Sequence, residues 1–263
     1  MNASAAAAQW QALADKENQE YYKITQLITS RDAQNHRLLM VKWAYNAVDK
    51  YDLDRSIVSF AFSYFDRFMA LYSDLADFEC TQILAMTCLY VAAKVHSSRT
   101  APLTISRISR MSKGCFERKQ IVEMEKRLIS ILSWYMHPPV PTLFVETVRH
   151  FLYNNRNLSS AKKDQVYDMT IYLIELSVCD HFFVTKRPSS VAAAALQIGL
   201  EVAGCDLPLQ VPLAPEAKEM AGACLSRMRK LYKSSFPDKE DSSRCTDCSP
   251  NDVMMTITQS SSS

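Results

Sequence analysis

Residues 78–95 read FECTQILAMTCLYVAAKV. After Glu79 no charge appears until Lys94. A helix over this stretch is apolar on almost every side, and other elements must surround it if it is to be stable in water. Its small residues, among them Ala85, Ala92 and Ala93, let those neighbours approach closely. The stretch therefore predicts the central helix of a bundle, and the rest of the chain should supply its partners.

Candidates lie on both sides. Upstream are HRLLMVKWAYNAVDKY (36–51) and DRSIVSFAFSYFDRFMALY (54–72), the latter with Asp54 or Ser56 available as a cap. Downstream are the shorter LTISRISRMS (103–112) and FERKQIVEMEKRLISILSWYM (116–136). The last carries Ile121, Met124, Leu128, Ile131, Leu132 and Tyr135 at helical spacing. HPPVPT (137–142) then stops the pattern, because clustered prolines cannot continue a helix. Beyond it come TLFVETVRHFLYN, SAKKDQVYDMTIYLIELSVCD, PSSVAAAALQIGLEVAG and APEAKEMAGACLSRMRKLYKS. The small-residue helix SVAAAALQIGL echoes LAMTCLYVAAK of the first half, a faint internal repeat. With only 4 glycines in 263 residues, the turns of a β-rich fold are not provided for, so the expected class is all-α.

Four segments follow from this pattern. Residues 1–35 form an N-terminal segment with a short, loosely attached amphipathic helix. Residues 36–137 and 138–233 form two helical folds. Residues 234–263, rich in Ser, Asp, Thr and Pro, form a disordered tail.

The equipment for catalysis is missing. Four scattered glycines make no phosphate loop. The five histidines show no metal-ligand spacing, and Cys245 and Cys248 make a single CxxC without a second pair. No cofactor or metal is expected, and the balance moves from enzyme to binding module. Net charge is +2, with acids and bases interleaved, so no nucleic-acid footprint is apparent. The longest apolar run is broken by Gln197 and Glu201 and does not span a membrane. No signal peptide is visible. Cys88, Cys179 and Cys224 sit in apolar helical stretches as structural thiols, which suits a reduced compartment. The expected location is intracellular, in nucleus and cytoplasm.

Three places put charge against apolar faces. Ser56, Ser59, Ser63 and Arg67 share one face of their helix and read as its solvent stripe. Asp66 lies off that stripe beside Phe62 and Met69 and needs a partner, for which Arg37 on the preceding helix is the candidate. Lys94 ends the central helix, and Glu125 lies beside the apolar seam formed by Ile121 and Ile129.

Taken in order, HRLLMVKW, YFDRF, QILAMTCLYVAAK and VEMEKRLISILSW resemble the motifs MRAILVDW, FLDRFL, LQLVGxAxxxxAxK and xxMExxxLxxLxF of the cyclin box. PSSVAAAAL is similar to the matching helix of the second cyclin fold. The resemblance covers residues 36–233. It implies two tandem five-helix folds, the second more divergent. It also implies a noncatalytic subunit that binds and activates a cyclin-dependent serine/threonine kinase. In that family Arg37 and Asp66 match a buried structural ion pair, and Lys94 and Glu125 match the residues that hold the kinase's regulatory helix. His36, Leu39, Trp43 and Gln82 fall on the patch where many cyclins dock substrates and inhibitors. Here His36 stands where Met is usual, Asn46 where an acid is usual and Thr81 where Leu is usual. The PPVPT linker and PSSVAAAAL lean toward a G1, D-like cyclin or a divergent algal branch, hence toward G1/S rather than mitosis. Lys16, Glu17 and Asn18 spell a KEN triplet, which in mitotic cyclins is a signal to a ubiquitin ligase. Ser249 before Pro250 is a minimal proline-directed phosphorylation site. The competing class is a general transcription factor of the IIB type, which also has two such folds. It would call for an N-terminal zinc ribbon and a strongly basic face, and neither is visible in the sequence.

Overall fold

A computed structural model describes residues 3–19, 22, 24, 30–72, 78–97, 103–154, 158–205 and 211–235. Among them are ten α-helices and no strand. The helices are α1 (Ala3–Glu17), α2 (Arg31–Lys50), α3 (Ser56–Leu71), α4 (Phe78–His96), α5 (Ile105–Met111), α6 (Arg118–Ile131), α7 (Pro141–Asn154), α8 (Ser160–Cys179), α9 (Pro188–Val202) and α10 (Pro215–Ser235). A short 3-10 turn, His181–Phe183, follows α8.

The contacts divide the chain into two compact units. One holds Asp15–Val140 together with Val178–Thr185. The other holds Met1–Ala14, Pro141–Ser177 and the chain from Lys186 onward.

In the first unit α4 lies at the centre and packs against α2, α3, α5 and α6. Leu84, Cys88, Leu89, Ala92 and Ala93 are wholly buried, as a helix with no polar face requires. The elements begin where local chemistry favours it. Asp54 Oδ1 accepts from the Ser56 N–H at the start of α3, and Thr104 Oγ1 accepts from the Arg107 N–H at the start of α5. Glu117 and Gln120 form a capping box at the start of α6. Two boundaries differ from the sequence pattern. Helix α2 begins at Arg31, after an extended Ser30, five residues before His36. Helix α6 ends at Ile131, because Ser133 and Trp134 adopt left-handed backbone at φ 49° and 63°. That conformation is unusual for a tryptophan and is closed by a hydrogen bond from the Trp134 N–H to the Ile129 carbonyl, 3.1 Å.

In the second unit α9 packs against α7 and α10. Its run of Val191 to Leu196 is buried, and Leu196, Leu200 and Ala203 share a core cluster with Leu152 and Val166. Gly199 lets α9 approach α8 at close quarters. A Cβ there would meet Thr170 Oγ1 at 2.6 Å and the Val166 carbonyl at 2.9 Å. The N-terminal helix is not loosely attached as expected. Trp10 is 1% exposed and meets Phe144 edge-on, ring centroids 4.9 Å apart. Burial of so large a side chain anchors α1 to this core. The stretch expected to be a disordered tail lies outside the described residues beyond Ser235.

Candidate docking surface

Arg37, on α2, reaches two elements at once. Nε donates to Asp66 Oδ1 at 2.6 Å and Nη2 to Asp66 Oδ2 at 2.7 Å, a bidentate pair with side chains 3% and 8% exposed. Nη1 donates to the Val178 carbonyl at 2.7 Å, in the last turn of α8, where a cation also complements the negative helix end. Burial alone would push the Arg37 guanidinium down. The adjacent Asp66 carboxylate overrides that and holds it above its ordinary range. Nε, Nη1 and Nη2 of Arg37 thus each make a hydrogen bond inside the protein.

Arg67 corrects the solvent-stripe reading. It is 3% exposed, and Ser59 on the same face is buried too. Its Nη1 donates to the Tyr135 carbonyl at 2.9 Å, and its guanidinium lies 5.0 Å from the centre of the Tyr22 ring. The serines marked a face that other elements cover, and the acceptor that satisfies Arg67 lies 68 residues away in sequence.

The turn after α6 is tied down from several sides. Tyr64 Oη donates to the Met136 carbonyl. His96 Nε2 lies 2.8 Å from Tyr64 Oη and 3.1 Å from the Met136 carbonyl. With the tyrosine proton spent on the carbonyl, the imidazole must carry its proton on Nε2. The His96 ring stacks on Phe60 at 3.7 Å and meets His137 edge-on at 5.3 Å. Burial pushes the His96 pKa down to about 4, outweighing the Met136 carbonyl. The Tyr64 phenol is raised, also by burial. Held in this way, the turn carries Trp134 with 77% of its surface exposed.

Lys94 and Glu125 come together across α4 and α6. Lys94, in the last turn of α4, places Nζ 3.0 Å from Glu125 Oε1 on α6. The lysine is exposed and the glutamate is only 13% so. The hydrogen bond to Glu125 raises the Lys94 pKa above its ordinary value. Nζ also lies 5.7 Å from the centre of the Tyr90 ring. With its lysine in solvent, the pair is worth about 0.2–1 kcal/mol to stability. It is therefore a weak brace, and an incoming peptide can exchange one partner for backbone groups at little cost. Val95, next to Lys94, and Trp134 and Tyr135, in the turn after α6, are large apolar side chains partly in solvent, with the Tyr135 ring edge-on to Tyr22, centroids 6.1 Å apart. Trp134 was missed in the sequence because it read as the end of a helix. The hint was an aromatic pair directly ahead of a proline cluster.

Other sequence candidates separate. His36, Leu39 and Trp43 share a face of α2 by spacing, and Gln82 comes from α4, which packs on α2. Leu39 is 52% exposed, while His36, Trp43 and Gln82 are half-buried. Lys16 and Glu17 lie in the last turn of α1, with Asn18 just after it. Glu17 is buried, and Lys16 Nζ lies over the Tyr22 ring at 5.5 Å. Ser249 lies outside the described residues. Among the described residues no cluster of three or more His, Cys, Asp or Glu could hold a metal, and no helix is long and apolar enough to cross a membrane.

Known proteins resemble this chain over both of its halves. The family model described as "Cyclin, N-terminal domain" matches residues 9–137, and "Cyclin, C-terminal domain" matches residues 139–236. The chain belongs to the cyclin family. Among curated relatives of this cyclin is cyclin-F3-2 of Oryza sativa subsp. japonica. It is 32% identical over 165 residues, which are 63% of this chain and 39% of the relative. G2/mitotic-specific cyclin-A of Patella vulgata is 26% identical over 200 residues, 74% of this chain and 44% of that protein. The cyclin thus spans about two-fifths of the length of these relatives. A chain in the crystal structure of the yeast RNA Pol II CTD kinase CTDK-1 complex shares the fold. Its TM-score is 0.57 at 9% identity, with 99% of this cyclin and 82% of that chain covered. Arg37, Asp66, Lys94 and Glu125 all fall within the N-terminal domain match.

Proposed function

We propose that this cyclin is a regulatory subunit that binds and activates a cyclin-dependent serine/threonine kinase through the Lys94–Glu125 face. The observation that carries the reading is the pair itself. It is an exposed cation and a mostly buried anion bridging α4 and α6, with the exposed Val95 directly after Lys94 in the chain. Apolar surface around a small polar centre is the composition of a specific protein interface. The apolar part supplies affinity and the charges fix register. Kinship with cyclins and a shared fold with a chain of a kinase complex support the reading.

The mechanism is conformational and not chemical. The cyclin favours one arrangement of the kinase's regulatory helix over the others, and the population shifts by as much as the difference in affinity. A tenfold preference corresponds to about 1.4 kcal/mol. A pull-down coupled to a kinase assay tests this. Lys94→Ala and Glu125→Ala together should abolish both binding and activation. A double variant that still binds the kinase normally would sink the interface.

The finer parts of the reading are separable. The face bearing His36, Leu39, Trp43 and Gln82 docks short segments of substrates or inhibitors. Replacing Leu39 by Asp should then reduce phosphorylation of docked substrates without affecting the kinase's activity on a short peptide. We place its activity at G1/S, in nucleus and cytoplasm; the linker resemblance supports the phase, although the Patella relative is named as mitotic. Abundance across a synchronised cycle decides: a peak at G1/S supports the assignment and a peak at G2 overturns it. Recognition of Lys16, Glu17 and Asn18 by a ubiquitin ligase requires the end of α1 to unwind, because Glu17 is buried.

A further inference from the structure

The whole chain carries 30 basic and 28 acidic residues, so its charge is nearly balanced. The stretch from Ile105 to Lys119 is not. It holds Arg107, Arg110, Lys113, Arg118 and Lys119 against one acid, Glu117, which sits at the N-cap of α6 in the capping box with Gln120. None of the five cations has a salt-bridge partner among the described residues. Elsewhere on the surface the bases pair readily, as Arg55 does with Asp49 and Arg229 with Glu201.

Folding gathers these charges. Arg107 and Arg110 are one turn apart on α5. The chain reverses through Lys113 and Gly114, both left-handed at φ 52° and 89°. Ser109 Oγ donates to the Phe116 carbonyl at 2.9 Å, and the Phe116 N–H donates to Ser112 Oγ at 3.1 Å. The start of α6 is thereby fastened back against α5, and Arg118 and Lys119 are its first two residues. Arg107 is steadied over the Tyr51 ring, 5.6 Å from its centre. Arg110, Lys113, Arg118 and Lys119 are all exposed.

We propose that this surface docks a phosphorylated serine- or threonine-containing segment of a partner protein. Three of the five cations are arginines, whose planar forks match phosphate oxygens two at a time. The patch is confined to one short helix, one turn and the first residues of the next helix. That extent suits a single dianionic group with acidic neighbours. A nucleic acid presents phosphates at regular intervals and calls for a longer basic track with aromatic faces for its bases. Of the aromatic rings here, Phe116 is buried and Tyr51 already lies under Arg107. A lipid surface calls for exposed apolar side chains to enter it. The exposed large apolar residues among those described, Leu39, Leu71, Tyr72, Val95, Trp134 and Tyr135, all lie outside the stretch.

Fluorescence anisotropy on the purified full chain tests the proposal. The probes are a short synthetic peptide carrying one phosphoserine among aspartates, the same peptide unphosphorylated, and a single-stranded oligonucleotide of matched net charge. The phosphopeptide should bind at least about tenfold tighter than its unphosphorylated form and should weaken with added salt. Arg110→Glu with Lys119→Glu should lose about tenfold or more of that affinity, with an unchanged helical spectrum and melting curve. Should that pair unfold, Arg110→Gln with Lys113→Gln tests the same surface without charge reversal. Equal affinity for both peptides overturns the proposal, as does an oligonucleotide that binds as tightly as the phosphopeptide. So does a folded variant that binds like wild type. Both variants leave Lys94 and Glu125 in place and should still pull down the kinase, so failure here is distinguishable from failure of the kinase reading.

Discussion

Three N–H groups of Arg37 are committed to the Asp66 carboxylate and the Val178 carbonyl, so removing the carboxylate strands a cation that is 3% exposed. Asp66→Ala should therefore cost about 3–5 kcal/mol, far more than loss of an exposed pair. Urea denaturation followed by circular dichroism measures it, and a loss below about 1 kcal/mol would show that the fork finds another anion. This pair was legible in the sequence because Asp66 stood among aromatic residues with an arginine one helix away. Arg67 was not legible, because its acceptor is a main-chain carbonyl, which no sequence pattern marks. His96 offers a second residue-scale test. Its folded pKa of about 4 lies below the ordinary 6.5, held down by burial and by His137 and Lys16, against the opposing Met136 carbonyl. The folded state keeps the imidazole neutral while the unfolded chain takes up a proton. The His96 contribution is therefore complete above pH 6.5 and is lost as pH falls toward 4. His96→Gln should flatten the dependence of stability on pH across that window. A variant with the wild-type slope would place the titration elsewhere.

At the scale of the element, the helices with strong periodicity were readable, but the start of α2 and the end of α6 were not. Nothing in ILSWYM announces that α6 stops at Ile131, because the residues that take the left-handed conformation are Ser133 and Trp134 and not glycine. The exposed Trp134 depends on that stop, and so its exposure was hidden in the sequence. The close approach of α9 to α8 was hinted at by small residues, but only the packing itself singles out Gly199. Alanine there would drive a Cβ against a main-chain carbonyl, which cannot rotate away as a side chain can. Gly199→Ala should destabilise the protein by about 1–3 kcal/mol, although alanine is the better helix former by nearly 1 kcal/mol. Thermal melting checks the sign. A stabilised variant would mean that α8 and α9 separate freely.

At the scale of the whole molecule, the proline cluster divides the sequence at one place, whereas contacts assign Val178–Thr185 to the same unit as Asp15–Val140. That segment supplies the carbonyl that Arg37 Nη1 uses and the buried Phe183. A fragment of residues 15–140 should therefore fold with a defect, since a charged donor loses its acceptor and apolar surface is uncovered. The hydrogen bond alone is worth about 1.5–3 kcal/mol. Joining residues 178–185 to the fragment through a Gly/Ser linker should restore most of the loss, because the linker costs little loop entropy. The comparison is a pair of urea curves read by tryptophan fluorescence. A fused fragment with the higher midpoint assigns the segment to the stability of the first fold. Identical midpoints would mean that the pair with Asp66 alone holds Arg37. A second arm adds Asp66→Ala to both fragments. If the carbonyl and the carboxylate act as one site on the guanidinium, the two losses will not add.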